Sequence, residues 1–255
     1  MKVLEVINLE KNFGGVKAVD DVSFFIEEGE TFGIIGPNGA GKTTLFNLIS
    51  GIYTPDKGKI IFKGKDITGF MPYRLSHIGI ARTFQNMRLF GSLTVLENIL
   101  SAVLSKRPYN MFQAIFRTAG YLKGEKNAYK MARELLDFFG LNEKADYSAS
   151  SLSYGEQRRL ELARALATDP TLMLIDEPGA GMNPKEIGDL ASMIKVIKER
   201  FSVTIAIIEH QMNLIMNISN RIMVMDFGEV IITSTPQEVK KDKRVIEAYL
   251  GEELD

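Results

Sequence analysis

The fold class of this chain is decided by a glycine-rich stretch, Gly36-Pro37-Asn38-Gly39-Ala40-Gly41-Lys42-Thr43-Thr44. It matches G-x-x-x-x-G-K-[ST], the phosphate-binding loop. Glycines have no Cβ, so the backbone can take positive φ and turn its N–H groups inward around an anion. The motif places Lys42 to reach the β- and γ-phosphates and the Thr43 hydroxyl to ligate Mg²⁺. The stretch therefore predicts a nucleoside triphosphate site.

The segments on either side of this loop have the context that the motif requires. Residues 31–35 form a short apolar run typical of a buried strand, and residues 44–49 have a helical pattern. A helix that begins at the loop directs its N-terminal dipole at the phosphates. Strand, loop and helix together favour a true phosphate site over a glycine-rich turn that matches by chance.

Length, charge and cysteine content bound the class of protein. The chain has 255 residues, and its 31 Lys and Arg against 32 Asp and Glu give a formal net charge of −1. That balance gives no general attraction to nucleic acid or to anionic membranes. With no cysteine, disulfides, thiolate nucleophiles and Cys-ligated metals are excluded. No apolar run approaches the roughly 18 residues of a membrane span, so we expect any membrane role to come through a partner.

The chain begins with strands before the phosphate loop. Residues 3–9 alternate apolar and polar, and residues 22–26 form a second strand-like run. Two such segments ahead of the loop predict an antiparallel layer beside the parallel sheet. Phe13 lies between them, and two interpretations fit it: an exposed aromatic that stacks on adenine, or a core residue at a strand end.

The next segment leads from a strand into a helical region. Residues 78–85 read as a strand that runs out to Gln85, and a side chain at the carboxyl end of a strand lies where ligands bind in open α/β sheets. A solvated surface glutamine fits the same position. Between residues 86 and 151 the pattern becomes helical, and Thr94 with Glu97 three residues later predicts a capped helix start.

Basic and aromatic residues are mixed in residues 106–126. The mixture fits a nucleic-acid surface with base-stacking aromatics among cations. It also fits an amphipathic helical insertion with packed aromatics and solvated cations. The near-neutral overall charge favours the insertion, so no nucleic-acid partner is expected.

The later part of the chain adds polar residues next to capped or buried elements. Ser153 is a candidate N-cap with free N–H groups behind it, which form a second anion site. The apolar run 172–176 ends in Asp176 and Glu177, whose side chains alternate across the strand, so that one can hold Mg²⁺ while the other orients an attacking water. His210 follows a β-branched run, where a γ-phosphate sensor and a solvent-exposed loop histidine both fit.

Taken together, these motifs make the chain resemble, essentially end to end, the ATP-binding subunit of ATP-binding-cassette (ABC) transporters. The resemblance rests on the phosphate loop at residues 36–43, Gln85 at the Q-loop position, Leu152-Ser153-Tyr154-Gly155-Glu156 at the signature, Asp176-Glu177 as Walker B, His210 as the switch histidine and Phe13 at the adenine-stacking position. Residues 153–161, residues 177–184 and the insertion at residues 106–126 are similar to the branched-chain amino acid importer subfamily.

The chain departs from the broad family pattern at three positions. Tyr154 and Glu156 replace the usual Gly and Gln of the signature, and Asn183 stands where the D-loop usually has Asp. An amide at residue 183 keeps its hydrogen-bonding capacity but loses the charge, so contacts of this loop across subunits could differ.

The resemblance implies an α/β fold: a P-loop NTPase (RecA-like) core with a parallel sheet, an antiparallel β layer and a helical subdomain, in an L-shaped two-lobed molecule. It implies a core at residues 1–88 and 164–255 and a helical subdomain at residues 89–163. It implies ATP and Mg²⁺ as cofactors. The residues implied for nucleotide binding are Phe13, Gly36, Pro37, Asn38, Gly39, Ala40, Gly41, Lys42, Thr43, Thr44, Ser153, Gly155 and Glu156; those for Mg²⁺ are Thr43, Gln85 and Asp176; those for catalysis are Glu177, His210 and Gln85.

The resemblance also implies partners. Two chains packed head to tail would each present Ser153 and Gly155 to the γ-phosphate held by the other. The pair would drive a membrane permease from its cytoplasmic face, and a solute-binding protein would take part indirectly. Alternatives are export of lipid or lipopolysaccharide, a non-transport ABC protein acting on nucleic acid or ribosomes, and a small-molecule kinase. One phosphate loop without a heptad array disfavours the non-transport class, and the signature segment disfavours the kinase.

Overall fold

The computed structural model of this chain describes residues 1–84, 88–106, 116 and 118–250. The strands are β1 Lys2–Phe13, β2 Val16–Glu27, β3 Thr31–Ile35, β4 Lys57–Phe62, β5 Lys65–Asp66, β6 Ile80–Arg82, β7 Leu172–Asp176, β8 Thr204–Ile208, β9 Arg221–Asp226 and β10 Glu229–Ser234. The helices are α1 Lys42–Ile49, α2 Pro72–Ile78, α3 Val95–Ser105, α4 Ala119–Phe138, α5 Tyr154–Leu166, α6 Pro184–Phe201, α7 Met212–Ile218, α8 Pro236–Val239 and α9 Lys243–Leu250.

The chain divides into two compact units. The first unit is Met1–Gln85 with Thr171–Asp255, and the second unit is Asn86–Pro170. The first unit contains both sheets, and the second contains α3, α4 and α5. Long helices thus interrupt the sheet-forming sequence.

The larger sheet of the first unit is predominantly parallel. Within the described residues its strand order is β10-β9-β3-β8-β7-β6, and β10 alone pairs antiparallel, with β9. Every residue of β3, β7 and β8 is buried. Strands covered on both faces need continuous apolar runs rather than alternation, as these three sequences have. The prediction of a parallel-sheet core is confirmed.

The smaller sheet is the antiparallel layer that the opening strands predict. Its order is β2-β1-β4-β5. The Phe24 ring on β2 stacks on the Phe32 ring of β3, with centroids 5.4 Å apart. Leu4 and Phe46 are buried in the same cluster, so β1 and α1 share one core with the parallel sheet. Burial of apolar side chains between two sheets and a helix stabilises the first unit.

The structure corrects two predicted elements. Residues 78–85 do not form one strand: α2 ends at Ile78, Gly79 takes φ 105° as its cap, and β6 covers only Ile80–Arg82. A left-handed glycine terminates a helix by a turn that the hydrophobic pattern does not reveal. After β10, a short terminal helix predicted from the sequence to run to residue 251 is instead two helices, α8 and α9, and residue 251 lies outside the described residues.

The capped start predicted for α3 at Thr94 is confirmed. The Thr94 hydroxyl accepts from Glu97 N–H at 3.1 Å, and the Glu97 carboxylate accepts from Thr94 N–H at 2.8 Å. Gly140, with φ 64°, follows the end of α4. Residues 119–126 of the predicted insertion belong to α4, whereas residues 107–115 and 117 lie outside the described residues. Across the described chain, we find no helix with the length and apolar character of a membrane span.

A buried asparagine fixes the loop before α3. Asn98 is buried; its Oδ1 accepts from Phe90 N–H at 3.0 Å, and its Nδ2 donates to the carbonyls of Phe90 and Thr94 at 3.0 and 2.9 Å. These side-chain hydrogen bonds satisfy main-chain groups of a loop that has no regular secondary structure.

We predict that Asn98→Leu, which keeps the branched shape of the side chain but loses its hydrogen bonds, lowers the free energy of unfolding by about 2 kcal/mol. Asn217→Ala is the matched control, because Asn217 is exposed and its amide bonds only within its own helix, to Asn213 O. Chemical denaturation followed by circular dichroism measures both variants. Equal stability of the two would contradict the assignment.

Candidate functional site

The carboxyl ends of three neighbouring parallel strands carry the predicted site residues of the first unit. β8 pairs with β3 on one side and with β7 on the other. β3 leads into the phosphate loop, β7 into Asp176 and Glu177, and β8 into His210. Ligands of open α/β sheets bind at this edge. The strand order therefore brings together three motifs that lie far apart in the sequence.

The phosphate loop needs glycine for two separate reasons. Gly36, Gly39 and Gly41 all have positive φ, at 149°, 78° and 94°. A Cβ on Gly36 would lie 2.0 Å from the Met225 carbonyl oxygen, and one on Gly41 would lie 2.1 Å from that of Ala18. At Gly39 a Cβ would meet nothing within 4 Å. Close backbone packing thus requires Gly36 and Gly41, whereas only the conformation favours Gly39.

The side chain of Lys42 lies along the loop that it follows. It is 5% exposed, and its Nζ donates to the carbonyl oxygens of Gly36 at 2.7 Å and Pro37 at 2.6 Å. Asn38, Gly39 and Thr43 are exposed, Thr44 is half-buried and Ala40 is buried. α1 begins at Lys42, so its first N–H groups are available to an anion. Lysine and helix terminus together make a cationic cradle.

The first Walker B carboxylate is buried in an ion pair that sequence reasoning missed. Asp176 is 2% exposed, and its Oδ2 lies 2.8 Å from Arg82 Nη2. The Nη1 of Arg82 donates to Asn47 Oδ1 at 2.7 Å and Ser50 Oγ at 2.6 Å. Arg82 therefore links β6, β7 and the end of α1. The sequence signal that could have indicated this ion pair is a charged residue, Arg82, at the end of the otherwise apolar segment Ile80–Arg82.

The second carboxylate points towards the histidine. The Oε1 of Glu177 lies 2.8 Å from His210 Nε2, and both side chains are partly exposed. Glu177 takes φ 44°, a left-handed conformation that is unusual for a bulky side chain. Its N–H donates to the Ile208 carbonyl at 2.9 Å, which ties it to the strand before His210. Asp176 and Glu177 diverge as predicted; His210 is exposed in the loop after β8 and contacts Glu177, and its role as a γ-phosphate sensor stays a prediction.

Phe13 is an accessible aromatic rather than a core residue. It ends β1 with 44% of its surface exposed. Its ring meets that of Tyr53 edge to face, with centroids 5.3 Å apart, and Lys11 Nζ lies 5.6 Å from its centroid. This exposure excludes the core interpretation, and stacking on adenine stays a prediction.

The signature segment lies in the second unit and begins α5. Ser153 N–H and Oγ donate to Glu156 Oε2 at 3.0 and 2.9 Å, and Lys144 Nζ donates to Glu156 Oε1 at 2.6 Å. The Lys144 hydrogen bond is the largest cause that lowers the pKa of Glu156 from 4.5 to about 2, and the Ser153 bonds add to it. A Cβ on Gly155 would meet nothing within 4 Å. The glutamate that replaces the usual glutamine is thus held as an anion.

Two further predicted residues complete the inventory. Gln85 lies outside the described residues, so Thr43 and Asp176 are the described members of the predicted Mg²⁺ set. In the described part of the chain, no three or more His, Cys, Asp or Glu side chains are grouped to hold a metal.

Asn183 caps α6: its Oδ1 accepts from the N–H groups of Lys185 at 3.0 Å and Glu186 at 3.1 Å. An amide caps as well as a carboxylate, so the departure at residue 183 keeps this local role.

Family models match most of the chain. The ABC transporter model matches residues 19–180, and the branched-chain amino acid ATP-binding cassette transporter model matches residues 235–255. The chain is 42% identical over 250 residues to the high-affinity branched-chain amino acid transport ATP-binding protein BraF of Pseudomonas aeruginosa, covering 98% of each. It is 40% identical over 250 residues to the corresponding LivG protein of Escherichia coli K12, again covering 98% of each.

Solved structures agree with these matches. The ADP conformation of an ATP-binding cassette of an ABC transporter superposes with a TM-score of 0.84 at 36% identity, covering 98% of this chain and 99% of that one. A dimeric post-hydrolysis state of an ATP-binding cassette bound to ADP and Pi gives a TM-score of 0.76 at 27% identity, covering 91% and 98%.

The lowered pKa of Glu156 predicts a pH-dependent contribution to stability. A carboxylate whose folded pKa is depressed stabilises the fold above its unfolded value, 4.5, and that contribution is lost as the pH falls towards about 2. We therefore expect Glu156→Gln to lower the thermal midpoint at pH 7, and expect the difference from the parent to shrink from pH 4.5 downward. Calorimetry at pH 7, 4.5 and 3.5 measures it. A difference that grows with acidity would contradict the prediction.

Proposed function

This chain belongs to the ABC transporter family as an ATP-binding subunit, and from that premise we propose that it powers the import of branched-chain amino acids through a separate membrane permease. As a member of that family it binds and hydrolyses ATP. The choice of solute is supported by the names of BraF and LivG and by the match of residues 235–255 to the branched-chain amino acid model.

One structural observation carries the catalytic part of the proposal. The ends of β3, β8 and β7 bring the phosphate loop, His210 and the two Walker B acids to one edge of one sheet. The amides of residues 36–44 would hold the phosphates, and Lys42 would exchange its carbonyl partners for phosphate oxygens. Phe13 would stack on the adenine. Because phosphoryl transfer needs positioning and charge stabilisation more than covalent chemistry, this arrangement supports ATP hydrolysis.

Glu177 is proposed as the residue that orients and deprotonates the attacking water. Its carboxylate is partly exposed and is held by His210 at 2.8 Å, so it has a fixed direction and access to solvent. A general base must lie within hydrogen-bond reach of the proton that it takes. His210 is proposed to keep Glu177 in place and to contact the γ-phosphate. Gln85 is proposed to help position the same water.

Mg²⁺ is proposed as the second cofactor. The Thr43 hydroxyl and the Asp176 carboxylate are hard oxygen donors, which is the chemistry that Mg²⁺ prefers, so these residues fit the ion. The ion pair with Arg82 sets the orientation of the Asp176 carboxylate. Gln85 is proposed as a further ligand. The ion, when bound, neutralises charge that develops on the β- and γ-phosphates.

A second ATP-binding subunit, identical or related, is proposed to complete the site. Ser153 and Gly155 belong to the second unit and would contact the γ-phosphate held by the partner, while the Glu156 carboxylate, which accepts from Ser153 N–H and Oγ, would hold Ser153 in place. The dimeric cassette bound to ADP and Pi supports this arrangement. Contacts that exist only with the γ-phosphate would close the pair, and hydrolysis would release it. The permease would follow this two-state change from the cytoplasmic face, and a solute-binding protein would deliver the amino acid.

Lys42→Ala tests both halves of the function. Removing the ammonium that neutralises the phosphates should abolish ATP binding by the purified chain, and cells that carry the variant should lose uptake of leucine, isoleucine and valine. Equilibrium binding with labelled ATP and transport of labelled amino acids measure the two effects.

Lys130→Ala is the control, because Lys130 is exposed on α4 and pairs with Glu134, also on α4, at 3.7 Å. Normal ATP affinity in Lys42→Ala would refute the phosphate-loop assignment. If Lys42→Ala lost ATP binding while uptake of these amino acids stayed normal and export of a lipid failed instead, the proposed solute would be wrong.

Glu177→Gln should bind ATP but hydrolyse it at least a hundredfold more slowly, since the amide cannot accept the proton of water. The variant should accumulate as an ATP-bound dimer, seen by light scattering with and without ATP. Glu134→Gln, at an exposed position on α4, is the control and should behave as the parent. Hydrolysis by Glu177→Gln at the parental rate would show that another group is the base.

A further inference from the structure

A buried carboxylate that the proposed chemistry does not use lies beside the catalytic pair. Glu209 is 2% exposed. Its Oε1 accepts from Gly179 N–H at 2.6 Å, and its Oε2 accepts from the N–H groups of His210 at 2.8 Å and Gln211 at 3.0 Å. A buried carboxylate is expensive unless its oxygens are hydrogen-bonded, and here both are.

The two oxygens of Glu209 bond to different loops. Oε1 binds the loop at residues 177–183, which follows β7, and Oε2 binds the loop at residues 209–211, which follows β8. The side-chain Nε2 of Gln211 also donates to the Gly179 carbonyl at 2.8 Å. Gly179 is thus held on both its N–H and its carbonyl by the second loop. One side chain cross-links the two loops that carry Glu177 and His210.

Gly179 packs closely against the side chains around it. A Cβ there would lie 2.6 Å from Glu209 Oε1 and 2.8 Å from Ile187 Cδ1. Glu177, two residues earlier, has the left-handed φ of 44°, a conformation that persists only where neighbours hold it. Its own N–H is held by the Ile208 carbonyl, and the bond from Glu209 holds the same loop at Gly179.

We infer that Glu209 is a positioning residue for ATP hydrolysis: by bridging Gly179 to His210 and Gln211, it fixes Glu177 against His210. The inference rests on the proposed role of Glu177. Catalytic groups must be held close to their productive geometry, and a displacement of about 1 Å can reduce the rate about a hundredfold. Both oxygens of Glu209 accept from main-chain N–H groups, so its proposed effect passes through Glu177 and His210.

Glu209→Gln is the decisive variant because the side chain keeps its size. A glutamine has one oxygen and one NH₂ group, so it accepts from one loop and directs a donor at the N–H groups of the other. We expect kcat to fall at least tenfold while KM for ATP stays within about twofold, since the phosphate loop is untouched. An unchanged kcat, or a KM that rises as kcat stays constant, would overturn the inference.

Glu30→Gln is the matched control for a structural effect. Glu30 is also a buried carboxylate of the first unit, but it pairs with Arg221 at 2.7 Å, and neither residue belongs to the loops after β7 and β8. We expect this variant to lower the thermal midpoint while kcat, measured well below that midpoint, stays within twofold of the parent. If Glu30→Gln lowered kcat as much as Glu209→Gln, stability alone would explain both and the inference would fall.

A double-mutant cycle on kcat tests whether Glu209 acts through His210. In the His210→Ala background the hydrogen bond that Glu209 aligns is gone, so the factor lost by adding Glu209→Gln should shrink at least threefold. The same factor in both backgrounds would overturn the inference. Glu177→Gln, run in parallel, separates the two proposals. If it hydrolyses ATP normally, the base assignment fails; if it is inactive while Glu209→Gln is normal, only the positioning role fails.

A milder variant keeps the test decisive if Glu209→Gln does not fold. Gln211→Leu removes the Nε2 bond to the Gly179 carbonyl and leaves the buried carboxylate in place. We expect a threefold or larger fall in kcat with unchanged KM. Parental kcat in this variant would contradict the view that the cross-link positions Glu177.

Discussion

The parallel pairing of β8 with β3 and β7 is the constraint on which the site depends. Thr31–Ile34 lies opposite Ile205–Ile208 in β8, and Leu172–Asp176 lies opposite Thr204–Ile208 on the other side. This register aligns the three strand ends, so the phosphate loop, Glu177 and His210 emerge together. Side chains alternate along a strand, so a slip of one residue would move each of Asp176 and Glu177 to the other face of the sheet.

Several backbone positions at this edge of the sheet accept few residue types. Gly36 and Gly41 pack against carbonyl oxygens that any Cβ would displace, and Gly179 packs against a carboxylate. Glu177 holds a left-handed φ without being glycine. Such strain persists only where the surroundings over-determine it, and it collects at functional sites. The loops after β3, β7 and β8 are therefore rigid parts of the site rather than adaptable connections.

Buried charges in both units are matched by direct partners. Arg82 contacts Asp176 in the first unit, and Arg158 contacts Glu161 at 2.6 Å in the second, where both side chains are almost fully buried. Removing one partner of a buried pair costs about 3–5 kcal/mol, although the pair as a whole adds little to stability. Their effect is to fix orientation: Arg82 orients the carboxylate proposed for Mg²⁺, and Arg158 and Glu161 join successive turns of the signature helix.

The sequence by itself determined the family, the nucleotide, the parallel core with its antiparallel layer and the capped starts of α3 and α5, because local chemistry decides each of these. Glycine spacing, apolar runs and capping residues such as Thr94 act within a few residues of one another. Tertiary structure alone decided the contacts of Asp176 with Arg82, of Glu177 with His210, and of Glu209 with Gly179. Those partners lie about 30 to 90 residues apart and meet only through the order of the strands. No local pattern encodes that order.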